Sequence, residues 1–480
     1  MRSPWIALAA LLAGCSLQPA YERPEAPVAA TYPAGPAYKD VAGNTTPAVD
    51  IGWRDFLKDP RLQQLVEIAL ANNRDLRVAA LSIARSQAQF RIQRANLLPQ
   101  VDANASATGQ RGVASTLGRN FTTHVYSADV SASWTLDFFG RLGSLNDQAL
   151  QQYFATAQAG KATSILLVSQ VADQYLTLLA DDELLAVTQR TLEAAQQSYD
   201  LALAQFQAGT GTELSVRQAQ TVVEQARASH AAQVRARAQA ENYLVLLIGQ
   251  PLPADLPAGL PFNSQSLLAD IPAGLPAELL TRRPDIMEAE ANLRAANAYI
   301  GAARAAFFPE ISLTGSFGRQ STDLSSLFKP ESKAWSFVPS VTLPIFHGGA
   351  LDAELDVAKI QKNTLVAQYE KTVQTAFREV ADGLAARGTY DEQIAALERY
   401  TDAYQVYLEL SLLRFRTGVD SYLNVLTAQT NLYSAQQTLV SARLARLTNL
   451  VDLYQYLGGG WVERTGDAPR APEDLAAKPG

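Results

Sequence analysis

The chain has 480 residues, enough for several domains or for one elongated architecture. Charged residues make up 18% of it, below the roughly 25% usual in soluble proteins, yet a mean hydropathy of −0.06 argues against a bundle of membrane-spanning helices. A net charge of −7 argues against nucleic acid as the main partner, three histidines and one cysteine leave almost nothing for a zinc site, and a single cysteine rules out an intrachain disulfide.

In chain order, the first feature is a leader. Arg2 is followed by a short apolar run from Ile6 to Leu12, then by Leu12-Ala13-Gly14-Cys15. A run this short cannot cross about 30 Å of hydrocarbon, so residues 1–14 are expected to be a cleaved signal peptide. Leu-Ala-Gly-Cys resembles a bacterial lipobox, which implies that Cys15 is the lipid attachment residue, S-diacylglyceryl and N-palmitoyl. The alternative is an ordinary signal peptide with an incidental Cys. Ser16 resembles the residue of lipoproteins sent to the outer membrane. Residues 15–60 contain Pro19, Pro24, Pro27, Pro33, Pro36 and Pro47. Proline at that density is not helical, so this stretch is expected to be an extended, lipidated tether.

Residues 61–250 and 284–460 then repeat one pattern, on either side of a Pro-rich linker at 251–283, and a tail covers 461–480. Leu97-Leu98-Pro99-Gln100-Val101 matches Phe307-Phe308-Pro309-Glu310-Ile311, and Val171-Ala172-Asp173 matches Val380-Ala381-Asp382. Phe206, Gly209, Leu214, Val216 and Ala219 match Phe415, Gly418, Leu423, Val425 and Ala428. The offset stays near 210 residues in every block, which marks a duplication.

Each half opens with an Ala-, Arg- and Gln-rich helix, about 74–96 and 285–306. Two alternating segments follow, at about 99–110 and 124–137, and at about 309–319 and 334–345. Next comes a very long helix, about 142–207 and 351–417. Between Lys161 and Ala208 there is no Gly or Pro, and at 1.5 Å per residue such a helix is roughly 100 Å long. A glycine turn then reverses the chain, Ala208-Gly209-Thr210-Gly211 or Thr417-Gly418-Val419-Asp420, and a returning helix runs to about 248 or 456.

The alternating segments carry the functional signal. In Tyr126-Ser127-Ala128-Asp129-Val130-Ser131-Ala132-Ser133-Trp134 every second residue is apolar. Strands of about 9–11 residues with this period suit a transmembrane barrel, apolar to lipid and polar to a lumen; a half-buried strand of a soluble sheet is the alternative. Pro339 and Pro344 predict a local gap in pairing. Four strands cannot close, and an open edge in lipid leaves backbone groups unpaired. Two copies would give eight strands and three would give twelve, and the arithmetic permits both.

The chain resembles the TolC/OprM family of outer-membrane factors, specifically the NodT-like lipoprotein branch, from about residue 15 to 460. The resemblance rests on the lipobox and on Trp53-Arg54-Asp55-Phe56, Arg282-Arg283-Pro284-Asp285-Ile286, Ala306-Phe307-Phe308-Pro309, Phe346-His347-Gly348-Gly349 and Tyr422-Leu423-Asn424-Val425-Leu426, in that order. It implies a mainly α fold with a membrane β-barrel: a homotrimer with twelve strands, four per chain, on a long α-helical periplasmic tunnel. It also implies a passive exit duct of a tripartite multidrug efflux pump in the outer membrane, without cofactors. Its partners would be outer-membrane lipid, a periplasmic membrane-fusion adaptor and an inner-membrane RND transporter. A type I secretion duct and a structural coiled-coil surface lipoprotein are the other readings.

No phosphate loop, nucleophile elbow or metal spacing occurs, so no enzymatic activity is expected. The resemblance places a gate at the two turns, with Leu423 in an apolar ring. The position that is acidic in many members falls at Thr427, which departs from the pattern. Asp420, Glu213, Arg217, Arg414 and Arg416 are then the candidate polar latches. Gly209, Thr210 and Gly211, with Gly418 and Val419, are the expected adaptor-docking tips, and for the adjoining Phe206 and Phe415 packing is the simpler role.

Overall fold

The computed structural model describes residues 16–39, 46–114, 119–265, 267–268, 271–272, 274 and 276–477. Cys15 and the expected signal peptide lie outside the described residues. The chain divides into two compact units. One comprises Met1–Glu25, Ser82–Ala157 and Glu288–Lys371, and the other Ala26–Leu81, Gln158–Met287 and Thr372–Gly480.

Among the described residues the elements are α1 (Trp53–Phe56), α2 (Pro60–Asn72), α3 (Arg74–Ala95), β1 (Gln100–Ala114), β2 (Arg119–Leu136), α4 (Arg141–Gln207), α5 (Glu213–Ile248), α6 (Pro276–Arg282), α7 (Pro284–Ala305), β3 (Glu310–Ser321), β4 (Lys333–Thr342), α8 (Ala350–Arg416) and α9 (Tyr422–Tyr456). The helix–strand–strand–helix–helix order therefore occurs twice, as the duplication predicts. α4 and α8 have 67 residues each, or roughly 100 Å at 1.5 Å per residue.

The first unit holds the sheet. Its order is β1-β2-β3-β4, antiparallel throughout. The register sorts side chains by chemistry. Ala103, Val130, Phe317 and Trp335 form one cross-strand row, and Ala132, Gly315 and Phe337 lie in the next row of the same face. The opposite face carries Asp102, Ser131, Ser316 and Ser336, with Ser316 and Ser336 hydroxyls 2.8 Å apart and Asn104 Nδ2 donating to Ser131 Oγ at 3.0 Å. Alternation in each strand thus adds up to one apolar and one polar surface, because partners across an antiparallel ladder share a face.

The gap expected at Pro339 does not occur. Pro339 pairs with Leu313 in a register that runs unbroken from Glu310↔Thr342 to Arg319↔Lys333. β4 is an edge strand, where a missing donor is tolerated. Pro344 falls beyond its end. The outer edges of β1 and β4 have no strand partner among the described residues.

Where strands meet helices, the joints are polar and aromatic. Asp137 accepts from the Leu142 and Gly143 amides at 3.0 and 2.7 Å, satisfying free donors at the start of α4. Phe139 stacks on Phe308 at 4.8 Å, and Arg141 pairs with Glu310 at 2.9 Å.

The expected tether is not a free linker. Residues 17–23 run along α7 in the direction opposite to it. Arg304 Nη1 donates to the Leu17 carbonyl, Asn297 Nδ2 to the Pro19 carbonyl, and Arg23 makes a two-pronged pair with Glu290 at 3.1 and 2.7 Å. Arg294 also holds Glu290, at 2.7 Å, and lies 4.9 Å over the Tyr21 ring. Burial alone would raise the Glu290 carboxyl, but the two guanidinium groups hold it below its usual range. Gly301 makes room for the strap, since a Cβ there would sit 2.9 Å from Gln18 Cα.

In the second unit the strap continues. Tyr32 stacks on Phe377 at 5.3 Å, and Gly388 lies against the backbone of Ala37. The expected C-terminal tail is likewise folded in: the Trp53 and Arg54 amides donate to the Val462 and Glu463 carbonyls, and Trp461 is buried against Ile165. Asp59 ties the Pro-rich linker to the helices. It caps α2 through the Arg61 amide at 2.8 Å, and its other oxygen accepts from Tyr175 Oη, Leu260 N and Gln265 Nε2 at 2.7–2.9 Å.

Candidate functional site

The two helical turns lie in the second unit and are built alike. Gly209 and Gly418 have φ of 75° and 73°, the left-handed conformation that lets a helix end in a tight reversal. In the first turn, Gly209 N donates to Phe206 O, and Thr210 N and Gly211 N donate to Gln205 O. In the second, Gly418 N donates to Phe415 O and Val419 N to Arg414 O. Side-chain positions around both glycines are open, and Thr210 and Val419 are exposed.

The turns differ in what pins the next helix. Thr212 caps α5, its Oγ1 accepting from Ser215 N at 3.2 Å. Ser421 makes no such bond at the start of α9. There the turn is held instead by Arg414, whose Nε and Nη2 lie 2.5 and 3.2 Å from the two Asp420 oxygens. The bonds from Arg414 hold the Asp420 carboxyl below its ordinary range. Glu213 and Arg217 pair one turn apart at 3.3 Å, both exposed. Arg416 is exposed. The candidate latches Asp420 and Glu213 are thus engaged within their own hairpins.

α9 presents two faces at its start. Tyr422, Val425, Ala428 and Gln429 are buried, while Leu423, Thr427 and Thr430 are exposed. Positions 423, 427 and 430 fall on one side of a helix. Leu423 is 53% exposed although it is apolar. The Thr427 hydroxyl donates to the Leu423 carbonyl at 2.9 Å, so it is satisfied by its own helix. Leu214, the counterpart of Leu423 in the first repeat, is 67% exposed.

The buried face ties the two hairpins of the chain together. Phe415 and Tyr422 meet edge to face at 5.3 Å, within a cluster that includes Ala202 from α4, Val216 and Ala219 from α5, and Leu408 from α8. Gln429 Nε2 donates to Ser198 Oγ at 3.0 Å inside it. Phe415 is 8% exposed and packs; Phe206, its counterpart, is 44% exposed and does not. Neither the burial of Tyr422 nor the Ser198–Gln429 bond stands out in the sequence. Tyr422 precedes Leu423 in the Tyr422-Leu423-Asn424-Val425-Leu426 segment, and its burial follows from the helical period of 422, 425 and 429.

Among the described residues, no group of three or more His, Cys, Asp or Glu side chains is placed to hold a metal ion. No described helix is long and apolar enough to cross a membrane. The described residues form an amphipathic four-stranded sheet whose two outer edges have no strand partner among them, and a pair of hairpin tips with exposed apolar side chains.

Comparison with known proteins gives a consistent result. Residues 65–250 and 275–459 match the family model for outer membrane efflux proteins. A toluene efflux pump outer membrane protein of Pseudomonas putida, TtgC, is 50% identical over 461 residues, 95% of each chain. The antibiotic efflux pump outer membrane protein ArpC of Pseudomonas putida is equally similar, at 50% over 461 residues and 95% of each chain. Among solved structures, the open state of the MtrE outer membrane channel of Neisseria gonorrhoeae superposes with a TM-score of 0.83 at 40% identity, covering 94% of this chain and all of that one.

Proposed function

The chain belongs to the outer membrane efflux protein family, and from that premise we propose that three copies form the passive exit duct of a tripartite pump for antibiotics or organic solvents. The fold is that of the TolC-like outer membrane channels, and the chain is an outer membrane efflux protein.

The observation that calls for further copies is the sheet, and the family resemblance sets their number at three. It has one apolar and one polar face and two unpaired edges. Such edges cannot persist in hydrocarbon, and joining β1 of one copy to β4 of the next removes them. A structural coiled coil has no use for such a sheet. The duct performs no chemistry; energy comes from an inner-membrane RND transporter, and a periplasmic adaptor docks at the tips Gly209–Gly211 and Gly418–Val419. Leu423 is the apolar gate residue, because three exposed leucines converging on an axis exclude water. Glu213–Arg217 and Arg414–Asp420 stiffen the hairpins that carry the gate, and Thr427 lines the same face. Opening is an outward movement of the hairpins, biased by adaptor contact. Cys15 carries the lipid anchor.

The functional test is complementation. Cells lacking their own outer-membrane duct but retaining an adaptor and an RND pump regain antibiotic or toluene resistance when they express this chain, and lose it again when the pump is removed. Resistance that is never restored with any adaptor and pump, or that persists without the pump, contradicts the proposal. For the anchor, Cys15→Ser abolishes incorporation of labelled palmitate; undiminished labelling would contradict the assignment.

A further inference from the structure

Asp173 and Asp382 close the same Val-Ala-Asp triplet in the two repeats, but only Asp382 is exposed. Asp173, on α4, turns inward. Its Oδ1 is buried and has no hydrogen-bond partner among the described residues.

The charged and titratable groups that face this spot come from three other places. Asp452 and Tyr456, on α9, neighbour Asp173 itself; Glu379, on α8, neighbours Asp452, and Arg283 with Asp285, at the α6–α7 junction, neighbours Glu379 and Tyr456. Arg283 is the one cation of that set, and it is fully engaged. Its Nη2 lies 2.7 Å from Asp285 and 2.8 Å from Glu379, and Nη1 donates to the Tyr456 carbonyl at 3.2 Å. Asp173 and Asp452, both half-buried, are therefore neighbours without a counter-charge of their own among the described residues. Two such neighbouring carboxylates resist both being ionised.

We propose that Asp173 is a proton-operated pin between α4 and α9, seated while its carboxyl holds the proton and expelled from its site when that proton passes to solvent. Within the second unit α4 continues to the first hairpin tip and α9 arrives from the second, so the pin sits at a junction both hairpins share. The inference does not depend on the gate assignment.

The physical basis agrees in direction. Burial, and then Asp452, push the Asp173 carboxyl up to about 8, and burial with Glu379 raises Asp452 as well. An acid whose pKa is higher in the folded state keeps a proton that the unfolded chain releases. Stability is then full below the ordinary carboxylate range, and is lost as pH rises through the folded value.

The test uses the full chain purified in detergent. Thermal unfolding is followed between about pH 6 and pH 9.5 for the wild type, Asp173→Asn and Asp452→Asn. The wild-type Tm should fall as pH rises and level off above about 8. Asp173→Asn, which keeps the shape without the charge, should remove that slope. Asp452→Asn should move the wild-type midpoint toward acid. In parallel, the infrared spectrum of the wild type at neutral pH should contain a protonated carboxylic acid band that disappears at high pH. An unchanged slope in Asp173→Asn overturns the proposal. If that variant fails to fold, a neutral-pH spectrum without the acid band overturns it instead, and one with a band that titrates near 8 supports it.

Discussion

Phe206 and Phe415 occupy equivalent places in the duplication and have opposite surroundings. Phe415 packs in one cluster with Tyr422 and residues of two further helices, α4 and α5, whereas Phe206 is exposed. Truncating a buried Phe removes its transfer energy and leaves a cavity, so Phe415→Ala should cost about 3–5 kcal/mol. Phe206→Ala should stay within about 0.5 kcal/mol of the wild type, as exposed sites do. Denaturant unfolding of the two variants side by side checks this, and equal losses would contradict the asymmetry. Asp420 makes a second prediction at this scale. Arg414 lowers its folded pKa, so the clip between them is complete above the ordinary carboxylate value of 3.8 and fails only as pH falls further, through the lowered folded value. A conductance change between about pH 7 and pH 5 should therefore be the same in Asp420→Asn as in the wild type; a change confined to the wild type would contradict this. If Leu423 is the proposed gate residue, Leu423→Ala should raise conductance in planar bilayers severalfold while leaving the buried face of α9 intact. No rise would remove Leu423 from the gate.

At the scale of elements, the register makes a sharper prediction than the strand count. Val130 lies in the row with Ala103, Phe317 and Trp335, while Ser131 lies in the row with Asp102, Ser316 and Ser336. An arginine on the lipid side near the bilayer midplane costs about 2–4 kcal/mol, and one on the lumen side is solvated. Val130→Arg should impair insertion into the outer membrane and Ser131→Arg should not, as read by heat-modifiable mobility of the extracted protein. The reverse order would mean that the faces are inverted. The strands also show where sequence reading stops. Alternation located all four, but β1 and β2 extend beyond it, to Ala114 and from Arg119, because backbone pairing continues through residues such as Thr122↔Arg111 that carry no apolar period. The end of β4 at Thr342 instead follows from Pro344, which has no amide to give. The strap was not legible at all. Arg23 and Glu290 are 267 residues apart, and nothing local in a proline-rich segment announces a partner that distant.

For the whole molecule, the duplication was the most readable feature and the least complete one. The helices show plainly because long stretches lack Gly and Pro and keep a helical period, and the returning turns show because Gly209 and Gly418 recur at one offset. What the repeat hides is divergence between its copies. Thr212 caps one turn and Arg414 clips the other; Asp173 is inward and Asp382 outward; Phe206 is exposed and Phe415 buried. These differences arise from what each copy packs against, which a match between two segments cannot reveal. The consequence that matters most is stoichiometric. A sheet with one apolar face and, among the described residues, no partner at either edge demands neighbours, and in the proposed trimer two further identical chains supply them. Native mass spectrometry of the intact protein released from detergent measures this directly. One dominant assembly of three chains is expected, and a stable monomer or a closed dimer would contradict the trimeric duct.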